Sequence, residues 1–228
     1  MATAVSNQSF VDQVIKEIVL PAADRLMESR YFTDLRAGKL TTRRLQGFSL
    51  QHTWFNRSLL KSGSLRMIKA SSDDDAFMGA LRGVVSEFTH PDMCKKFGLY
   101  LGLTEEDFRT ELPIYEVLVH TSVIAASPLI IGNPAAGRTS GMANETIVQR
   151  YATEFATYLA KAPYDIPEDP LQFFIVHGVV DVDHSREAAE DVVRLATTDR
   201  DLQLVRWTAE NMVKLKLAKF EAIYDHYA

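Results

Sequence analysis

The run Phe173-Phe174-Ile175-Val176-His177-Gly178-Val179-Val180-Asp181-Val182-Asp183-His184 constrains the fold of this chain more than any other stretch. His177, Asp181 and His184 stand at i, i+4 and i+7. At about 100° per helical residue these offsets fall at about 0°, 40° and 340°, so the three side chains share a stripe about 60° wide if the segment is a helix. The residues before and between them are apolar, which calls for burial. A carboxylate facing a core without a partner costs several kcal/mol. A fold that buries this helix must supply a partner for the stripe, and a bound metal is the simplest one. Taken alone, the stripe leaves a zinc hydrolase, a set of satisfied core polar groups and a solvent-facing stripe all open.

The rest of the chain keeps a helical period. Val11, Val14, Ile15 and Ile18 lie on one face of a segment from Phe10 to Glu28, with an interruption expected near Pro21. Gly38 reads as a left-handed helix end, and Thr41 or Thr42 as the cap of a long helix to about Lys69. Further helices are expected from Ala76 to Phe88, from the His90-Pro91 break to Leu101, and from Thr104. Others run from Leu112 to about Ile131 and from Ala135 to about Lys161. Glu168-Asp169-Pro170 opens the helix that carries the stripe, and Asp199 is the expected cap of the last helix. No stretch of strand period longer than a few residues occurs. The expected architecture is all-α, one domain over residues 1–228 with about seven main helices, residues 1–8 forming a flexible N-terminus.

At 228 residues and 46% apolar content, the chain is long enough for one sizeable core. A net charge of −5 argues against a nucleic-acid partner, whose footprint is basic. Cys94 is the single cysteine, so no internal disulfide framework exists, which suits a reducing compartment. No apolar run is long enough to span a membrane, and Met1 to Gln8 lacks the pattern of a secretion signal. The expectation is a soluble cytoplasmic protein. Homodimerisation suits such a bundle, though no residue fixes it.

Two further sites can join the stripe. Glu87-x2-His90 is an i, i+3 pair able to ligate one metal, with Pro91 placing His90 at a helix boundary. Glu145 lies about 60° from Val148 on the helical wheel and so borders an apolar face, whereas its rival Glu154 points about 180° away. Glu87, His90, Glu145, His177, Asp181 and His184 together make three carboxylates and three imidazoles. Mixed oxygen and nitrogen ligands suit iron, with manganese as the alternative, better than a structural zinc. Six ligands suit two metals with open positions, which is what O2 chemistry needs. Tyr31, His52 and Trp54 are read as substrate-pocket candidates, against core packing. His120 reads as a satisfied core histidine, and Cys94 as an inert thiol despite Lys95 and Lys96 beside it. Asp183, Glu187 and Glu190 read as outer faces of the stripe helix.

This ordered set resembles the heme-oxygenase-like di-iron oxidases and oxygenases, relatives of the TenA and PqqC families. The flanking text is similar too: Leu35-x2-Gly38-x-Leu40-x4-Leu45-x2-Phe48, His90-Pro91-Asp92-x4-Phe97-x3-Leu101-Gly102-Leu103, and Phe173-Phe174-x2-His177. The resemblance covers roughly residues 10 to 225 and is most specific in the His-Asp-His helix. It implies a seven-helix bundle holding two Fe ions that activate O2 to oxidise or fragment a small metabolite. An amino acid or a fatty acid is the expected substrate, in biosynthetic chemistry. A metal-independent TenA- or PqqC-like enzyme and a non-catalytic binding bundle of the same fold are the alternatives. Two departures stand out. Many members carry the first carboxylate seven residues before the first histidine, where this chain has Gly83; Glu87 matches a subset that includes alkene-forming decarboxylases. Members that make para-aminobenzoate from their own tyrosine have Tyr and Lys where Asn144 and Phe155 stand, which argues against that chemistry.

Overall fold

A computed structural model describes residues 4–69 and 71–228. Among them, eleven α-helical segments and no strand occur. They are α1 (Ala4–Val14), α2 (Leu20–Met27), α3 (Arg30–Arg36), α4 (Thr42–Lys69), α5 (Asp74–Glu87) and α6 (His90–Tyr100). After them come α7 (Glu105–Thr110), α8 (Tyr115–Ala126), α9 (Pro134–Leu159), α10 (Gln172–Leu195) and α11 (Asp199–His226). The count exceeds seven because short segments, such as α3 and α7, turn corners between the long rods.

Several boundaries differ from the sequence expectation for local reasons. Helix starts at Ala4, within the segment 1–8 read as a tail; residues 1–3 lie outside the described residues. The interruption expected near Pro21 falls just before it. A π turn, Ile15–Val19, precedes it, and Leu20 N–H bonds back to the Ile15 carbonyl. This wider turn joins α1 to α2 where a proline would otherwise obstruct the ladder. The cap of α11 is Thr198, not Asp199: its hydroxyl accepts from Asp201 N–H, and the Asp201 carboxylate accepts from Thr198 N–H. Gly38 has φ +68°, as its place after α3 requires.

The core is aromatic at one end. Tyr31, Phe32, Phe48, Tyr151, Phe155, Phe174 and Phe220 are fully buried and pack edge to face, tilted or stacked against one another. Helices α9 and α10 make the most extensive pairing in the molecule. They run antiparallel in a register fixed at two points: Gln149 Nε2 lies 3.4 Å from the Gly178 carbonyl, and Arg138 Nε lies 2.8 Å from Asp191 Oδ2. A Cβ at Gly178 would come 3.3 Å from Thr153 Oγ1, so glycine lets the two backbones approach there. This register brings Glu145 on α9 toward Asp181 on α10. No helix is long and apolar enough to cross a membrane among the described residues.

Candidate metal centre

The stripe forms as its spacing requires. His177 and Asp181 are buried on α10, and His184, half-buried, follows one turn later. His177 is held by its own helix: Nδ1–H donates to the Phe173 carbonyl at 2.6 Å. That bond fixes the tautomer and leaves the lone pair on Nε2 directed at the next helix, the arrangement of a metal-ligating imidazole.

The next helix supplies His90. Its Nδ1 lies 3.2 Å from His177 Nε2 and 2.5 Å from Glu87 Oε2. The two histidine rings stand 4.2 Å apart, with Phe173 as the wall behind both. One ligand atom from each of Glu87, His90 and His177 lies within 4.8 Å of the others. The Glu87–His90 pair differs in one respect from its sequence reading. Glu87 is the last residue of α5 and His90 the first of α6, so the pair spans a corner rather than one continuous helix. Pro91 sits in the first turn of α6, where its missing N–H is harmless.

The remaining carboxylates surround this triad without joining it directly. Glu145 Oε2 and Asp181 Oδ2 are buried, and neither has a hydrogen-bond partner among the described residues. Asp181 Oδ1 is 3.8 Å from His184 Nδ1, too long for a hydrogen bond. Burial, with the charge of Glu87 added, pushes the Glu145 carboxyl up to about 7, against the opposing pull of Arg138. Burial also lifts Asp181 to about 8, reinforced by Glu145 and Glu87 and opposed by Lys216. His177 is pushed down to about 4 by burial and by His90. Glu87 goes the other way: burial would raise it, but the His90 hydrogen bond and the charges of His90, His177 and His184 hold it low. Two buried carboxylates with an unpartnered oxygen each, beside two imidazole nitrogens, fit a cation. The six residues are hard and borderline donors with no thiolate, a set that fits iron.

The other sequence candidates sort by burial. Glu154 pairs with Arg36 near the surface at 3.1 Å and takes no part. Asp183, Glu187 and Glu190 are exposed, as expected. Tyr31, His52 and Trp54 do not form one pocket. Tyr31 is sealed in the aromatic core, its hydroxyl donating to the Arg44 carbonyl at 3.1 Å. Trp54 is half-buried and packs against the core, while His52 alone lies near the centre, its ring 5.1 Å from Phe173. Cys94 is buried with its thiol pushed up to about 12 by burial, an inert group. His120 is buried but not satisfied: neither ring nitrogen has a hydrogen-bond partner among the described residues.

Sequence reasoning missed Lys216 and Lys219, both fully buried on α11. The signal was available. Val205, Ala209, Met212, Val213, Phe220 and Ile223 form the buried face of that helix, and Lys216 falls in its period.

A family model described as iron-containing redox enzyme matches residues 72–217. That span includes all six candidate ligands, Glu87, His90, Glu145, His177, Asp181 and His184. No protein of curated function matches the chain. Among solved structures, a TenA homolog from Pseudomonas syringae pv. tomato is similar, with a TM-score of 0.79 and 15% identity over 98% of this chain and 96% of that one. A domain of unknown function with a heme oxygenase-like fold from Shewanella denitrificans aligns with a TM-score of 0.76 and 18% identity, covering 92% of this chain and 90% of its own. A TenA homologue from Pyrococcus furiosus gives a TM-score of 0.76 and 14% identity over 94% of this chain and 99% of that one. At such identities these neighbours establish the heme-oxygenase-like fold.

Proposed function

This chain belongs to the family of iron-containing redox enzymes, and from that premise we propose that it is a non-heme di-iron oxygenase or oxidase, using O2 to oxidise or fragment a small metabolite. Glu87, His90, Glu145, His177, Asp181 and His184 would hold the two irons. The observation that carries this reading is the pair of buried carboxylate oxygens, Glu145 Oε2 and Asp181 Oδ2, left without partners beside the Glu87–His90–His177 triad. Without a cation both oxygens stay buried and unpaired among the described residues. Leaving buried acceptors unpaired costs about 1–3 kcal/mol each, more when charged.

When bound, the irons would supply electrons to O2. The chain's own residues do the rest. The Phe173 carbonyl keeps the proton on His177 Nδ1, so Nε2 stays a lone-pair donor. Phe173 walls off His90 and His177 from the core. Glu145 and Asp181, whose ionisation is suppressed by burial, give up their protons when a cation arrives and carry the compensating charge.

Iron stoichiometry together with O2 consumption tests the reading. Anaerobic loading should place about two Fe(II) per chain, as a six-ligand carboxylate–histidine site predicts, and an O2 pulse should give a transient visible absorbance. Iron content near zero, or full iron retention after His177→Ala plus His184→Ala, would reject it.

A further inference from the structure

Tyr151 on α9 is fully buried, and its hydroxyl faces an imidazole where Tyr31 uses a backbone carbonyl. His52 Nε2 lies 3.3 Å from that hydroxyl, and His52 Nδ1 lies 2.6 Å from Lys219 Nζ. All three side chains are buried. Burial holds His52 and Lys219 well below their ordinary values and so favours the neutral base in both. The buried tyrosine proton needs an acceptor, and His52 Nε2 is the one within reach. Lys216, whose Nζ is 5.3 Å from the centre of the Tyr151 ring, makes no hydrogen bond among the described residues. With Nε2 accepting, the imidazole proton sits on Nδ1 and is donated to the Lys219 amine. The result is a directed chain from Tyr151 through His52 to Lys219. It ends 4.4 Å from the centre of the Phe55 ring, whose face stabilises an ammonium.

The same imidazole connects Tyr151 to the candidate metal centre. The His52 ring lies 6.1 Å from that of Tyr151 and 5.1 Å from that of Phe173, and Phe173 lies 4.2 Å from the ring of His177. Burial, with the Asp181 carboxylate added, pushes the Tyr151 hydroxyl well above its ordinary value, so the phenolate is suppressed. A phenoxyl cation is equally costly in such an interior. Tyr151 can therefore lose an electron only as its proton leaves, and the chain supplies the base. We propose that Tyr151 is a redox-active tyrosine, a one-electron donor to the iron centre whose proton passes to His52 Nε2. The Tyr151 O–H bond breaks, and the electron reduces by one equivalent the centre that O2 has oxidised. His52 gives its Nδ1 proton to Lys219, and Tyr151 is left as a neutral phenoxyl radical. One electron from the reductant that restores the irons returns it to tyrosine, as the protons retrace the chain. Full reduction of O2 takes more electrons than the irons alone supply, and Tyr151 adds one. The identity of the oxidant rests on the di-iron reading; the tyrosine–histidine–lysine chain itself does not.

Freeze-quenched electron paramagnetic resonance tests this on the full chain, loaded anaerobically with Fe(II) and pulsed with O2. Iron content and visible absorbance are measured on the same samples. Wild type should give a phenoxyl radical whose spectrum changes when the protein is made with ring-deuterated tyrosine, and which forms more slowly in heavy water. Tyr151→Phe should abolish it with iron retained. His52→Gln should slow its formation by about 100-fold or more, the worth of a positioned proton acceptor, and serves if the phenylalanine variant does not fold. Metal-stripped protein is oxidised instead by flash-generated ruthenium(III) tris-bipyridine, and a long-lived radical there should again require Tyr151. Iron-loaded protein that shows the absorbance but no tyrosine radical, or the same radical in Tyr151→Phe, overturns the proposal and leaves the di-iron reading standing. So does unchanged formation in His52→Gln. Protein that takes up no iron rejects the di-iron reading. A Tyr151-dependent radical in the ruthenium arm would then still support the chain, and its absence would overturn that as well.

Discussion

Around Tyr31 the tyrosine hydroxyls are paired: its own donates to the Arg44 carbonyl at 3.1 Å, Tyr224 donates to Asp34 at 2.6 Å, and Tyr164 accepts the Leu40 N–H at 3.0 Å. Around α10 and α11 a group of buried polar atoms is not. Glu145 Oε2, Asp181 Oδ2, both nitrogens of His120 and Lys216 Nζ are buried without partners. The first region is what a packed aromatic core needs and nothing more. The second gives up stability by leaving polar groups unpaired in two patches, one acidic and one basic. On the di-iron reading, a cation completes the acidic patch.

The widest separation between the two regions should appear in metal binding. His177→Ala plus His184→Ala should weaken iron retention by well over tenfold, since even the loss of a supporting contact costs about 10–100-fold. Phe155→Ala should leave iron stoichiometry intact and lower unfolding free energy by about 3–5 kcal/mol in denaturant titrations. Phe155 is fully buried against Tyr31, Phe32, Phe48 and Phe174. If Phe155→Ala strips the iron as well, the two regions are one.

The basic patch gives a prediction of opposite sign. Burial pushes Lys216 down to about 7, below its unfolded value near 10.4. Between those values the unfolded chain binds a proton that the folded chain lacks, so this lysine's contribution to stability rises with pH. Its full penalty is present below about pH 7 and is relieved as pH climbs toward about 10.4. Metal-free Lys216→Met should therefore be more stable than wild type by about 1–4 kcal/mol at neutral pH. The gap should shrink toward pH 10 or so, followed by thermal unfolding across that range. A variant less stable than wild type at neutral pH would mean that Lys216 is already paired.

How much of this could be read from the chain depends on how far apart the partners lie. The stripe on α10 and the Glu87–His90 pair are local, set by the helical period and a three-residue spacing, and both form. The wheel put Glu145 and Glu154 on opposite faces without deciding which of them joins the site. Lys216 escaped because a lysine in an apolar stripe ordinarily extends its head to water; only the covering by α4, α8 and α9 prevents it. His120 was expected to be satisfied, and whether a core histidine finds a partner is decided by helices far away in sequence. His52 and Trp54 are two residues apart, which puts them about 200° apart on α4, so they cannot share a pocket. The interruption expected near Pro21 does occur, but as a π turn just before it, a form that residue pattern alone does not specify.

The α5–α6 corner tests whether the acidic patch is completed by metal. Glu87 and His90 are held there mainly by each other, and the corner meets α10 through His177. Iron bridging these residues to α10 should slow proteolysis within 86–96 several-fold, because cleavage needs local opening and a ligand bound only to the closed form suppresses it. Equal cleavage rates with and without iron would show that the metal does not engage this corner, leaving Glu87 outside the ligand set.

The smallest expected effect concerns Tyr31, the residue whose sequence reading and structural position differ most. Tyr31→Phe removes one hydroxyl that donates to a carbonyl already within α4. The ring contacts with Phe32, Phe155 and Phe220 remain. The cost should be about 0.5–1.5 kcal/mol, the net worth of one hydrogen bond. Iron content should not change, because the residue is sealed from the candidate metal centre by the aromatic core. A tyrosine needed at the site would give the reverse pattern, with iron uptake altered and stability intact. Measuring both in the same variant therefore decides whether the paired region is purely structural.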